Sequence, residues 1–270
     1  MWIHLFELPC KKQCSLWDSA IFNISETEMR EIERIEESQM RNIFKVETGI
    51  QVPIHLMYLD GGQLPARYTV KRFKLNFLQY ILQQNQSSLL YRMLKAQQNE
   101  PVRGDWLSEC MTIMQDFGID NSLDEISLMK RTRFRKLTKQ KSEDLAFQSL
   151  LNRKDNGSKG RSLRYGESLQ MADYLCPNMV LSVEEQRQIF QIRSRVNPLP
   201  ANKGEVSLCP TGCKSILENN HILSCTILNP KEQYNLDSLI NGNLNDMKKL
   251  LRIWNSNIEK IEESTSPDSI

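Results

Sequence analysis

Three of the seven cysteines and one of the three histidines fall within seventeen residues, in the stretch LCPTGCKSILENNHILSC from Leu208 to Cys225. Cys209, Cys213, His221 and Cys225 make a C-x3-C-x7-H-x3-C array. Thiolate sulfur and imidazole nitrogen are the donors of structural zinc sites, four to a tetrahedron. His221 and Cys225, four apart, share one face of a helix a turn apart. Cys209 and Cys213 flank Pro-Thr-Gly, residues suited to a tight turn. A turn with two thiolates and a helix with His and Cys fill all four positions. That predicts a structural Zn2+ and no metal-borne catalysis. The competing account is a cluster of small buried cysteines beside an unrelated histidine, and the x3 gap between the first two cysteines is wider than the usual x2. Cys10 and Cys14 repeat the x3 spacing in CKKQC and, with His4, offer three more donors without an evident fourth. Otherwise His4 and His55 are expected to have no metal or catalytic role.

The chain contains no GxxxxGK[ST], GxSxG or HExxH. Tyr58-Leu59-Asp60-Gly61 resembles the Tyr-x-Asp-Asp of polymerase palms, but Gly61 replaces the second aspartate, and no Asp-Asp pair occurs anywhere. Two-metal polymerisation needs clustered carboxylates to hold both ions. No catalytic residue is assigned, and the chain by itself is expected not to polymerise.

Charge is unevenly placed. From Lys130 to Gly166 twelve Lys and Arg face three acids, so this stretch carries +9 and the remainder −7 of a net +2. Such asymmetry fits a polyanionic partner, or else a solvated helical face. If the partner is nucleic acid, the phosphate-contacting residues are Lys130, Arg131, Arg133, Arg135, Lys136, Arg161 and Arg164, with Arg187, Arg193 and Arg195 on a following helix. An odd cysteine count without a signal peptide suggests a reducing compartment, intracellular, in nucleus or cytoplasm. No run of about eighteen apolar residues predicts a membrane span or a membrane partner.

The elements that must position these residues are helical. Ser25 to Glu28, Ser122 to Glu125 and Ser182 to Glu185 are capping boxes, and Asp105 is a further N-cap. Behind the first box, Met29, Ile32, Ile35, Met40 and Ile43 follow one face, and Gly49 is a plausible stop. Pro53 and the turn Asp60-Gly61-Gly62 separate this helix from KRFKLNFLQYIL, Lys71 to Leu82, with Phe73, Phe77, Leu78 and Ile81 on one side. Another helix covers about Ser88 to Gln98 and ends before Pro101. Trp106, Cys110, Met114 and Phe117 recur at helical spacing, which makes Cys110 a core residue. The segment Asp155 to Gly166 reads as a flexible loop. Leu244, Met247, Leu251, Trp254, Ile258 and Ile261 form an a/d stripe, expected to pack back on the body rather than pair two chains.

The fold class is therefore mostly α, a multi-helix assembly with a small Cys/His zinc-knuckle-like module and a terminal amphipathic helix. Five segments follow: 1–23 unassigned, 24–104 helical, 105–200 basic and helical, 201–235 the Cys/His module, and 236–270 the final helix and tail.

Several stretches, in order, resemble the region after the palm in non-LTR (LINE-type) retrotransposon reverse transcriptases. They are HLMYLDGGQLPARYTVKRFKLNFLQYIL, AQQNEPVRGDW, LRYG, FQIRSR and the Cys/His cluster ending HILSC. The resemblance spans roughly Ile21 to Asn257. It implies a thumb-like helical region at 24–104 and then a nucleic-acid-contacting part with a zinc knuckle, without fingers, palm or endonuclease. It would make the chain an RNA- or DNA-binding piece of a transposable element. The rest of a reverse transcriptase would then be a partner, with polymerase activity supplied by that other part. The alternative is a helical protein-interaction fragment with a structural metal site, binding another helical chain and having no nucleic-acid role.

Overall fold

The computed structural model describes residues 21, 23–46, 50, 53–157, 159–176 and 181–265. His4, Cys10, Cys14 and the proposed stop at Gly49 lie outside them. The chain is mostly helical, and among the described residues there are eleven α-helices and no strand. None of these helices is long and apolar enough to cross a membrane.

The chain forms two compact units, Met1–Ser38 with Gln63–Ser149, and Gln39–Gly62 with Leu150–Ile270. This grouping differs from the five sequence segments, because 39–62 folds with the C-terminal half rather than with its sequence neighbours.

The first unit is built on α3 (Ala66–Leu82), against which α4 (Leu89–Asn99), α5 (Trp106–Asp116) and α6 (Leu123–Leu128) pack. Leu75, Leu78, Ile81 and Leu82 of α3 meet Leu94, Leu107, Cys110, Met114, Phe117 and Ile126 in one core. Phe77 only borders it, and Phe73 packs instead against a separate pair, Met29 and Val70. Local signals start the helices as the sequence implies. Ser88 accepts from the Tyr91 N–H, Asp105 from Ser108, and Ser122 with Glu125 closes a capping box. Helix α1 (Glu26–Phe44) begins with the Ser25–Glu28 box, the Ser25 N–H donating to Glu28 and the Glu28 N–H to Ser25 Oγ.

One position on α1 departs from the sequence pattern. Ile35, assigned to the apolar face, is exposed, whereas Glu36 is buried. Its carboxylate accepts the Ala66 N–H at 2.9 Å. An anion at a helix N-terminus, where Pro65 offers no capping side chain, is favoured by the orphan N–H groups and the helix dipole. That contact starts α3 five residues ahead of the Lys71 expected from the sequence.

In the second unit, α2 (Ile54–Gly61) occupies what the sequence presented as a separator. Helix α7 (Arg131–Asn156) ends here, followed by α8 (Val183–Arg193), α9 (Asn219–Ser224), α10 (Leu236–Ile240) and α11 (Leu244–Thr265). The α11 stripe packs back on α8, α9 and α10, as expected. Met247, Leu251, Trp254 and Ile261 are buried, joined by Leu250. The end of α1 is also here, and it turns before Gly49. Lys45 takes a left-handed φ of 46°. The Val46 N–H returns to Arg41 O and that of Lys45 to Asn42 O, a Schellman close.

Candidate metal centre and the charged groups around it

The two arms of the Cys/His array form by short-range geometry. On one side, Cys209 N–H donates to Ser215 O and Leu217 N–H to Ser207 O, across an isolated antiparallel bridge between Leu208 and Ile216. Gly212 at φ 86° and Lys214 at φ 61° are both left-handed. Two such residues curl the backbone enough to bring Cys213 back toward Cys209, and this accommodates the x3 gap. On the other side, α9 carries His221 and is capped by Cys225, whose N–H donates to His221 O. Ile222 and Leu223 of α9 are fully buried, and Asn257 of α11 donates to Ile222 O at 2.8 Å. The helix is thus fastened to the unit by its apolar face while its other face points at the thiols.

The four ligand atoms lie within 4.8 Å of one another. Cys213 Sγ is 3.1 Å from His221 Nε2, and Cys209 Sγ is 3.1 Å from Thr211 Oγ1. Tetrahedral sulfur donors about 2.3 Å from a metal stand about 3.8 Å apart. The widest pair here would close by about 1 Å to meet that. Cys209 and Cys225 are buried, while Cys213 and His221 are half-buried. Burial holds the Cys209 thiol above its ordinary pKa. For Cys213, desolvation is outweighed by hydrogen bonds from the Ser215 backbone and the Cys209 and Cys225 thiols and by the nearby imidazole. Its thiol falls to about 6. One readily ionised thiol among four convergent soft and borderline donors is a set that can take a metal ion.

The proposed phosphate contacts divide into distinct environments. Lys130, Arg131, Arg133, Arg135 and Lys136 are all exposed around the start of α7. Below them, Phe134, Thr138, Ser142 and Ala146 form the buried side of the helix. In the second unit Arg161 and Arg164 are exposed on a loop that is tied down rather than loose. Lys154 Nζ donates to Leu163 O, and Asn241 both accepts the Arg164 N–H and donates to Ser162 O.

The Arg-bearing helix α8 must be corrected. Arg193 is 5% exposed and its guanidinium is held inside the unit, so it does not face phosphate. Its Nε and one Nη each donate to a different oxygen of Asp60 at 3.3 Å, and the other Nη donates to Ile240 O. The same carboxylate accepts the hydroxyls of Tyr165 and Tyr174. Burial would lower the Arg193 pKa, but the Asp60 charge more than compensates and the net shift is upward. Burial first, and then the Asp60 charge, raise both tyrosines well above their ordinary range. Arg187 is also engaged, donating to Ile43 O at 2.8 Å. Gln191 beside it donates to Phe44 O and Lys45 O, so the two side chains satisfy the terminal carbonyls of α1. Arg195 is half-buried at a left-handed φ of 55°.

Sequence reasoning missed the Asp60 cluster, although its parts were in view. YLDGG supplies Asp60, LRYG supplies Tyr165 and RSR supplies Arg193. Gly62, at φ 59°, lets the chain turn there, and a Cβ at this position would lie 2.3 Å from Met171 N. Close backbone approach places the Ala172 N–H on Asp60 O at 2.8 Å.

Fold and site together define a helical protein with a Cys3His cluster able to hold a metal ion. No protein-family model, curated protein or solved structure matches this chain.

Proposed function

We propose that the chain is a nucleic-acid-binding segment of the kind that follows the palm in non-LTR retrotransposon reverse transcriptases, with a structural Zn2+ on Cys209, Cys213, His221 and Cys225. One observation carries the nucleic-acid reading: Lys130, Arg131, Arg133, Arg135 and Lys136 remain exposed together at one helix start. No acid of α7 stands among them, the nearest being Glu143 and Asp144. Phosphate is the ligand such a group suits, and its contacts give affinity without sequence choice. Arg161 and Arg164 are the second unit's own candidates for phosphate contact. Zinc is the metal that a closed Cys3His set suits, and with four protein ligands its part is to cross-link the module. The sequence has no Asp-Asp pair, so polymerisation would belong to another part of such an enzyme.

The test is binding of labelled RNA and DNA over a range of salt. Replacing Arg131, Arg133 and Arg135 with alanine should weaken binding about equally for all sequences. It should also flatten the slope of log affinity against log salt by roughly 0.7 to 0.9 per lost contact. Unchanged slope and affinity would refute the phosphate role.

A protein-interaction reading retains one support, the exposed Leu89, Leu90 and Met93 on α4. It loses the other, because the α11 stripe is buried within its own unit.

A further inference from the structure

We infer that the first unit carries a stacking surface for unpaired bases, a row of rings from Trp106 through Phe77 to Tyr80 that ends at the Arg131 guanidinium. The inference rests on the nucleic-acid reading above and deepens it by naming a single polynucleotide strand as the form bound.

Helix α3 buries Leu75, Leu78, Ile81 and Leu82, yet leaves Tyr80 40% exposed. Its ring lies nearly parallel to Phe77, with centroids 5.9 Å apart and planes at 14°. Phe77 in turn meets Trp106 edge-on at 5.8 Å. At the open end the guanidinium carbon of Arg131 sits 5.2 Å from the Tyr80 ring centre.

That arginine is fixed in place. Its Nε donates to Gln83 Oε1 at 2.9 Å, and the Gln83 amide donates to Ser127 O and Met129 O. The side chain that anchors the guanidinium is thus itself anchored, on two backbone carbonyls. An exposed guanidinium held over a ring presents a flat cationic face, and bases stack on aromatic rings and on guanidinium planes alike. Lys130 and Arg133 flank it in sequence and are exposed, available to the phosphates of a bound strand.

The geometry also selects the form of nucleic acid. In a duplex each base is covered by its neighbours, which stand 3.4 Å apart along a strand. Only an unpaired base can offer a face to Tyr80 or Arg131. Cations beside aromatic rings are the elements of sequence-tolerant single-strand binding.

The experiment measures binding of the full chain, by fluorescence anisotropy at fixed salt, to a labelled oligouridylate of about 16 nucleotides and to a duplex of equal length. The single strand should bind more tightly. Tyr80→Leu removes the ring that backs the Arg131 guanidinium, so it should weaken single-strand binding by up to the roughly five- to 150-fold of one lost base stack and move duplex binding less than about twofold. Tyr80→Phe should retain single-strand affinity, and circular dichroism of both variants should match the parent. Equal affinity for the two probes, or a Tyr80→Leu variant that binds the single strand as well as the parent, would overturn the inference while leaving the nucleic-acid reading intact. A parent chain that binds neither probe would refute both.

Discussion

Asp60→Asn should destabilise the second unit by about 3–5 kcal/mol, the cost of removing one partner from a buried ion pair. The structure sets this magnitude. Asp60 is wholly buried, and its two oxygens accept from four donors: two on Arg193 and the hydroxyls of Tyr165 and Tyr174. An asparagine in its place is neutral, and its amide nitrogen would point a donor at donors. The Arg193 charge, 5% exposed, would then have no counter-charge, keeping only Ile240 O and the one remaining amide oxygen as acceptors. A domain of this kind has about 5–15 kcal/mol in total, so the loss is a large share. Arg193→Met should cost a similar amount by stranding the carboxylate. The double variant Asp60→Asn/Arg193→Met should cost less than the two singles combined, because no charge is left unpaired. Urea unfolding followed by circular dichroism measures all three, the midpoint moving at constant slope. A loss under about 1 kcal/mol for Asp60→Asn, or additivity of the pair within about 0.5 kcal/mol, would refute the argument.

Cys225→Ser should abolish metal binding and increase amide exchange across about Leu208 to Leu228, leaving the helices before Pro198 protected, because a short loop with little core depends on its metal. Elemental analysis finding less than about half an equivalent of zinc in the parent protein, or unchanged exchange on chelation, would contradict it. Alkali should unfold the protein through Tyr165 and Tyr174. Their pKa is raised in the fold above the ordinary 10.0, so the unfolded chain gives up their protons first and stability falls as pH rises from about 10. An absorbance titration in which all tyrosines ionise together near 10 while the fold persists would show this wrong.

Where the structural signal lies within four adjacent residues, the sequence conveys it. The boxes at Ser25, Ser122 and Ser182 and the Asp105 cap form as read, since a hydroxyl or carboxylate reaching its own helix start needs no distant partner. Helix α2 was hidden because it has no polar face to set a period. Leu56, Met57, Tyr58, Leu59 and Asp60 are all buried, and Pro53 offers no capping side chain. Helix α7 misleads in the opposite way. Its buried positions Phe134, Thr138, Ser142, Ala146, Leu150 and Lys154 repeat every four residues, but Thr138, Ser142 and Lys154 look like solvent residues. Their polar atoms are satisfied by Asn76, by carbonyls of their own helix and by Leu163 O.

The same distinction separates the two sites. The metal ligands are legible because the whole array fits within seventeen residues, with each pair joined by one turn of chain. Asp60 and Arg193 are 133 residues apart, and each was read for what its charge does alone. An isolated aspartate in YLDG suggests catalysis, and an isolated arginine in RSR suggests phosphate. A charge in a sequence is ambiguous in this way until its counter-ion is found, because desolvation forbids either from being buried alone. The composition around them held a hint. Arg193 lies between Ile192 and Ser194, one step beyond the apolar Ile189–Phe190 face, and all five of these positions are closed to solvent once Asp60 is supplied from α2. A cation that continues an apolar helical face calls for a buried acid elsewhere in the chain. Asp60, in a stretch of α2 buried from Leu56 to Gly61, is the acid that answers it.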